Sequence, residues 1–158
     1  MNDTVAPAST RPLFRGQPDL DALNAMSRGT AMEALGIVFT GVGPDYLRAT
    51  MPVEARTHQP YGLLHGGASA LLAETVGSTA GMLAVEEGKG CVGIEINANH
   101  LRAVRSGLVT ATARPLHVGR QTQVWEIRIE DPTGRLVCVS RLTLAVIPLP
   151  PSREPSAD

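Results

Sequence analysis

Apolar positions change their spacing along this chain, and each change marks a change of backbone. From residue 66 to 87, Leu71, Leu72, Thr75, Val76, Thr79, Met82 and Leu83 recur three and four apart, the period of an α-helix. The remaining surface of that segment is small or polar: Gly67, Ala70, Glu74, Gly77, Ser78 and Gly81. Each glycine weakens an isolated helix by up to about 1 kcal/mol relative to Ala. The helix is therefore expected to be largely buried, with another backbone pressed against its small side, and Gly88-Lys89-Gly90 is expected to end it.

Beyond the helix the period drops to two. Val92, Ile94, Ile96, Ala98 and His100 are predicted on one face of a strand, with Glu95, Asn97 and Asn99 on the other. Leu108 to Ala113 reads as a short strand, and Gln121 to Glu130 as another with Trp125, Ile127 and Ile129 on one face. Asp131-Pro132-Thr133-Gly134 is a hairpin turn, because Pro presets one φ and Gly accepts a positive one; Leu136 to Ile147 closes the run. Ahead of the helix, Asp19 to about Ser27 is predicted helical, with Asp19 as cap and Leu20, Leu23 and Met26 on one side. Gly36 to Val42 and Tyr46 to Val53 are predicted strands around Gly43-Pro44-Asp45, and Arg56 to Tyr61 a polar loop. The class is α+β: an antiparallel sheet of about six strands wrapped around one long central helix.

Composition narrows this to one domain. The chain has 158 residues, 43% of them apolar, enough for one core. Residues 1–17, rich in Pro, Ser, Thr and Arg, are expected to form a flexible N-terminal arm. Residues 18–147 form the domain, and the Pro-rich residues 148–158 form a flexible tail. Fourteen Lys and Arg against fifteen Asp and Glu leave a net charge of −1, so no general field draws nucleic acid or an anionic membrane. Two cysteines, Cys91 and Cys138, with no close spacing make neither a disulfide framework nor a four-thiolate zinc site, and the four His and two Cys never fall at zinc spacing, so no metal site is expected. The first residues lack the apolar stretch of a signal peptide and no long apolar run spans a membrane, which leads to the expectation of a cytoplasmic protein.

The candidate chemistry lies where the polar loop feeds through His65-Gly66-Gly67 into the long helix. The first N–H groups of a helix have no partner within it and carry the positive end of its dipole, so they suit an oxyanion forming on a carbonyl. Glu74, on the small side of a helix expected to be buried, is expected to have a raised pKa suited to a general base or nucleophile, with Ser78 one turn on to hydrogen-bond it. Eight residues of helix separate Gly66 from Glu74 by about 12 Å, too far for both to act on one carbonyl carbon. If both act on the same bond they come from two copies of the chain, paired about a twofold axis.

His58-Gln59-Pro60-Tyr61-Gly62-Leu63-Leu64-His65-Gly66-Gly67, then Leu72-Ala73-Glu74 and Gly77-Ser78, resembles the hot-dog-fold acyl-CoA thioesterases. The branch is that of the Arthrobacter-type 4-hydroxybenzoyl-CoA, 1,4-dihydroxy-2-naphthoyl-CoA and enterobactin proofreading thioesterases. Glu95 to His100 and Gly134-Arg135-Leu136 also fit, so the resemblance covers about residues 30–147.

The resemblance implies hydrolysis of an acyl-CoA, and of an aryl-CoA of hydroxybenzoyl or dihydroxynaphthoyl type in particular, to free acid and CoA. In it Glu74 attacks the thioester or activates water, and Gly66 N–H polarises the carbonyl with Gln59 in the same region. His65 orients the thioester, and Ser78 holds the Glu or the water. His100 and Gly67 line the acyl site, while Arg102, Arg105, His117, Gly119 and Arg120 are the candidates for the CoA phosphates. It also implies a homodimer that shares its sites, assembled into a homotetramer, with no cofactor beyond the CoA of the substrate. Two alternatives stay open: a proofreading thioesterase acting on an acyl- or aryl-carrier protein, and a non-catalytic acyl-CoA sensor.

Overall fold

The computed structural model describes residues 12–149. Residues 1–11 and 150–158, parts of the expected arm and tail, lie outside the described residues. Helix α1 (Leu20–Ala25) begins where Asp19 accepts hydrogen bonds from the N–H groups of Asp21 and Ala22. A second short helix, α2 (Ala31–Leu35), was not anticipated; Thr30 caps it and Gly36 ends it at φ 69°. Strands β1 (Val38–Val42) and β2 (Leu47–Val53) follow, then a single 3₁₀ turn and the small hairpin β3 (His58–Gln59) and β4 (Leu63–Leu64). Helix α3 runs unbroken from Gly66 to Ala84. Strands β5 (Lys89–His100), β6 (Gly107–Val118), β7 (Thr122–Glu130) and β8 (Leu136–Pro148) complete the chain.

The six long strands make one sheet in the order β1-β2-β6-β7-β8-β5, every neighbouring pair antiparallel. The sheet wraps α3: Trp125, Ile127, Ile129, Leu142 and Leu144 on its inner face and Leu72, Val76 and Ala80 on the helix are fully buried together. This is the hot-dog arrangement. Phe14, within the segment read as an arm, belongs to the same core, and Arg15 N–H reaches Leu83 O at 3.0 Å.

Three further features depart from the sequence reading. The glycines of α3 do not form an outward side. A Cβ on Gly77 would stand 2.7 Å from Leu142 Cδ2, and one on Gly81 2.3 Å from Leu144 Cδ1, so both face the sheet. The stripe left exposed holds Gly67, Glu74 and Met82. Along β5 the alternation is broken by a bulge between Gly93 and Glu95. One extra residue exchanges the faces, so Val92 does not share a face with Ile96, and Ile94 is left exposed. Finally, β6 runs on to Val118, past Ala113, because a second bulge between Pro115 and His117 accommodates the proline. The Asp131 turn forms as expected. Asp131 accepts from the Thr133 hydroxyl at 2.6 Å and from the N–H groups of Thr133 and Arg135, and these bonds, the hydroxyl foremost, hold its carboxyl well below the usual carboxylate range.

Candidate functional site

Thr57 sets the geometry of the helix entry. Buried at the end of the 3₁₀ turn that follows β2, it donates from Oγ1 to Pro52 O at 2.8 Å and accepts from Glu54 N–H, while its carbonyl accepts from His65 N–H at 2.8 Å. The end of a core strand and the residue before α3 are thus tied to one residue, the first through its side chain and the second through its carbonyl. Between them the β3–β4 hairpin turns at Gly62, whose φ is 69°. Gln59 stabilises the turn by accepting from Tyr61 N–H at 2.7 Å. The hairpin is laced to the segment after β5, with Leu64 N–H donating to Val104 O at 2.8 Å and the His58 ring to Arg105 O at 2.9 Å.

At the start of α3, His65 Nδ1 accepts from Gly67 N–H at 2.8 Å and caps the helix. That leaves Gly66 N–H, the first of the helix, directed outward without an acceptor in it. The His100 imidazole lies against Gly66: a Cβ there would stand 2.9 Å from His100 Nε2. Gln59, Gly66, His100 and Arg102, all singled out from the sequence, line one cleft of about 330 Å³. Its other walls are Leu63, Leu64, Leu101, Ala103 and Val137, with Ser69 among them. Arg102 is fixed by donating to Leu136 O at 2.6 Å. His65 and Gly67 adjoin the cleft through their bond to each other. Sequence reasoning missed Ser69, although its place three residues after Gly66 puts it on the same helix face.

Other predicted site residues lie elsewhere. Glu74 is exposed in the single chain, contrary to the buried setting expected for it, because its side of α3 opens beside the edge strand. Its Oε1 lies 3.0 Å from where a Cβ on Gly93 would stand. Among the described residues no hydrogen bond joins Glu74 to Ser78, whose carbonyl instead lies 3.7 Å from Cys91 Sγ. The unbroken helix keeps Glu74 about 12 Å along the axis from Gly66. His117 near the end of β6, and Gly119 and Arg120 in the β6–β7 turn, lie at the opposite end of the sheet from Arg102 and Arg105. One chain therefore does not gather the five proposed phosphate contacts. Gly119 and Arg120 border a second hollow of about 740 Å³ with Arg15 and Lys89, whose charges are met by Glu87 at 3.2 Å and Glu86 at 2.9 Å.

Neither cysteine offers a ready nucleophile. Burial pushes both thiols up, Cys138 against the opposing effect of its bond to Ser140, so the thiolate is disfavoured. Among the described residues no three His, Cys, Asp or Glu side chains gather as a metal site, and no helix is long and apolar enough to cross a membrane. What the cleft offers is a free helix-terminal amide, an imidazole and an amide side chain against aliphatic walls. That set can bind an acyl group and polarise its carbonyl.

Comparison with known proteins agrees with this chemistry. Residues 61–138 match the family described as the thioesterase superfamily. The chain is 59% identical over 135 residues to the proofreading thioesterase EntH of Cronobacter sakazakii, covering 85% of this chain and 98% of the relative. It is 55% identical over 135 residues to the 1,4-dihydroxy-2-naphthoyl-CoA hydrolase of Escherichia coli, covering 85% and 99%. Among solved structures, thioesterase HI1161 of Haemophilus influenzae is similar at a TM-score of 0.86 and 52% identity, over 90% of this chain and 99% of that one.

Proposed function

This chain belongs to the thioesterase superfamily, in its hot-dog-fold, EntH-like branch, and from that premise we propose that it hydrolyses aryl-CoA thioesters, of hydroxybenzoyl or dihydroxynaphthoyl type, at sites built from two copies. The observation that carries the reading is the division of labour along α3. Its N-terminus opens into an aliphatic cleft with His100 and Gln59, while the one carboxylate of the helix stands exposed about 12 Å away beside the edge strand.

A second copy, antiparallel to the first, brings Glu74 of the partner subunit to the cleft. Gly66 N–H then stabilises the charge that develops on the thioester oxygen, and His65 and Gln59 orient the thioester. Glu74 either takes a proton from water, whose oxygen adds to the acyl carbon, or adds to that carbon itself. In both cases the C–S bond breaks and the sulfur leaves as thiolate to be protonated. In the second case, water then cleaves the mixed anhydride. Ser78 is assigned to the attacking water or to Glu74 in the assembled site. The aliphatic walls accept a flat ring, and His100 is the only ring-bearing side chain lining the cleft.

Glu74→Ala is expected to lower turnover by about a hundredfold or more while leaving fold and ligand binding intact, measured by free-thiol release and by binding of a non-hydrolysable CoA thioether. Equal slow turnover in both proteins would favour the sensor reading. A rapidly quenched single turnover separates the two roles of Glu74: an acyl group trapped on its carboxylate as the mixed anhydride means carboxylate attack, and free acid formed with no acylated protein at any quench time means water activation. Exposed Tyr61 and Leu101 beside the cleft favour a second reading, in which a carrier protein presents the thioester. Matched CoA and carrier-protein thioesters of one acyl group decide between them by their kcat/KM.

A further inference from the structure

Between Val53 and Ala68 the chain runs along the surface, and Thr57, 1% exposed, is the one residue of that stretch that is buried. Gln59, His65 and Gly66 all belong to the stretch and so depend on this anchor for their place. A buried hydroxyl is costly unless paired, and this one is paired in both directions. Its hydrogen goes to Pro52 O at 2.8 Å, nearer than Glu54 O at 3.1 Å, and its oxygen takes Glu54 N–H at 3.0 Å. Valine has the same outline, so the hydroxyl adds direction rather than bulk: it fixes how Thr57 presents its carbonyl. From that carbonyl, bonds lead to the helix-terminal amide. Thr57 O accepts from His65 N–H at 2.8 Å, and His65 O accepts from Ser69 N–H at 3.1 Å. His65 O and Gly66 N–H belong to one planar peptide, so the direction of the free amide follows from how His65 is held. Its backbone bond from outside α3 is the one to Thr57.

We propose that Thr57 is a positioning residue for thioester hydrolysis, its hydroxyl aiming Gly66 N–H at the oxygen of the scissile carbonyl. The inference rests on the reading of Gly66 N–H as the group that polarises the thioester. Without the hydroxyl, Thr57 is free to turn, its carbonyl shifts, and the peptide joining His65 to Gly66 tilts with it. The bound thioester oxygen carries little charge, so a tilted amide costs little in binding. The transition state puts charge on that oxygen, and there the misdirected N–H costs more. Loss of aim therefore falls on kcat and spares KM.

The test compares Thr57→Val and Thr57→Ser with wild type on 4-hydroxybenzoyl-CoA, by thiol release at a temperature where all three are folded. Thr57→Val is expected to lower kcat about tenfold, less than the about hundredfold of a donor lost outright, with KM within about twofold. Thr57→Ser, which restores the hydroxyl, is expected to stay within about twofold of wild type in both. Where valine is not tolerated, Thr57→Cys takes its place, since a thiol keeps the volume but pairs weakly. A second readout is the infrared carbonyl stretch of the same thioester bound to Glu74→Ala, in which it persists. Adding Thr57→Val is expected to raise that frequency toward the value in solution, and adding Thr57→Ser to leave it in place. A merely structural role lowers the melting temperature while kcat and the carbonyl band of the folded enzyme stay unmoved. That result, a loss carried by KM, or a loss that serine does not rescue overturns the proposal and leaves the thioesterase reading standing. Absence of thiol release by wild type from 4-hydroxybenzoyl-CoA and 1,4-dihydroxy-2-naphthoyl-CoA alike overturns the reading beneath it.

Discussion

The contact between His100 and Gly66 joins two elements distant in sequence, the end of β5 and the start of α3. It exists only because residue 66 has no side chain. Alanine there would place a methyl group 2.9 Å from His100 Nε2, closer than real contacts allow, and the exposed ring would swing away. Gly66→Ala is therefore expected to lower kcat/KM by at least about tenfold, through displacement of the imidazole and closure of the approach to the amide, with the melting temperature little changed. At this scale the Gly-Gly helix entry marked Gly66 from the sequence alone, whereas Gln59 and His100 were picked out through the family resemblance and Arg102 as a basic side chain; the structure sets all four on one cleft. Ser69 was not legible. One small residue in a run of alanines carries no periodic signal, and only its place in the cleft lining makes it stand out.

On the scale of elements, α3 lies close to its sheet because glycine lets it. Gly81→Ala sets a gain in helix propensity of about 1 kcal/mol against overpacking of about 1–3 kcal/mol. With the new methyl group 2.3 Å from the fully buried Leu144, and Gln123 Oε1 at 2.9 Å, overpacking wins. Denaturant unfolding is expected to show a net loss of about 1–2 kcal/mol. Gln123 cannot readily yield, since it also holds Gly81 O and Trp125 Nε1. The helix, the paired strands and the Asp131 turn were legible because period and turn chemistry are local. The facing of the glycines was not, since a residue without a side chain is blank in a hydrophobic pattern. The bulge at Gly93 was equally hidden, because a two-residue period continues on paper through an inserted residue.

For the whole molecule, the edge strand is the feature left open. β5 is twelve residues long, pairs only with β8, and exposes Val92 and Ile94 beside the Glu74 stripe of α3. A long apolar edge of this kind invites another strand. If the edges of two copies meet, one defective copy can complete another. Mixing Glu74→Ala with Gly66→Ala chains, unfolded and refolded together, is expected to restore about a quarter of wild-type activity. Half of the dimers are then mixed, and each keeps one site free of both substitutions. Recovery no greater than the two variants show separately would mean that each chain works alone.

Because one rigid rod holds the amide at its tip and the acid halfway along, no bending of a lone copy can close that gap. On the proposed shared site, a newly made chain is folded yet idle, and its catalysis begins only on encounter. Turnover per chain should accordingly fade on dilution below the affinity of the pair, making abundance itself the throttle.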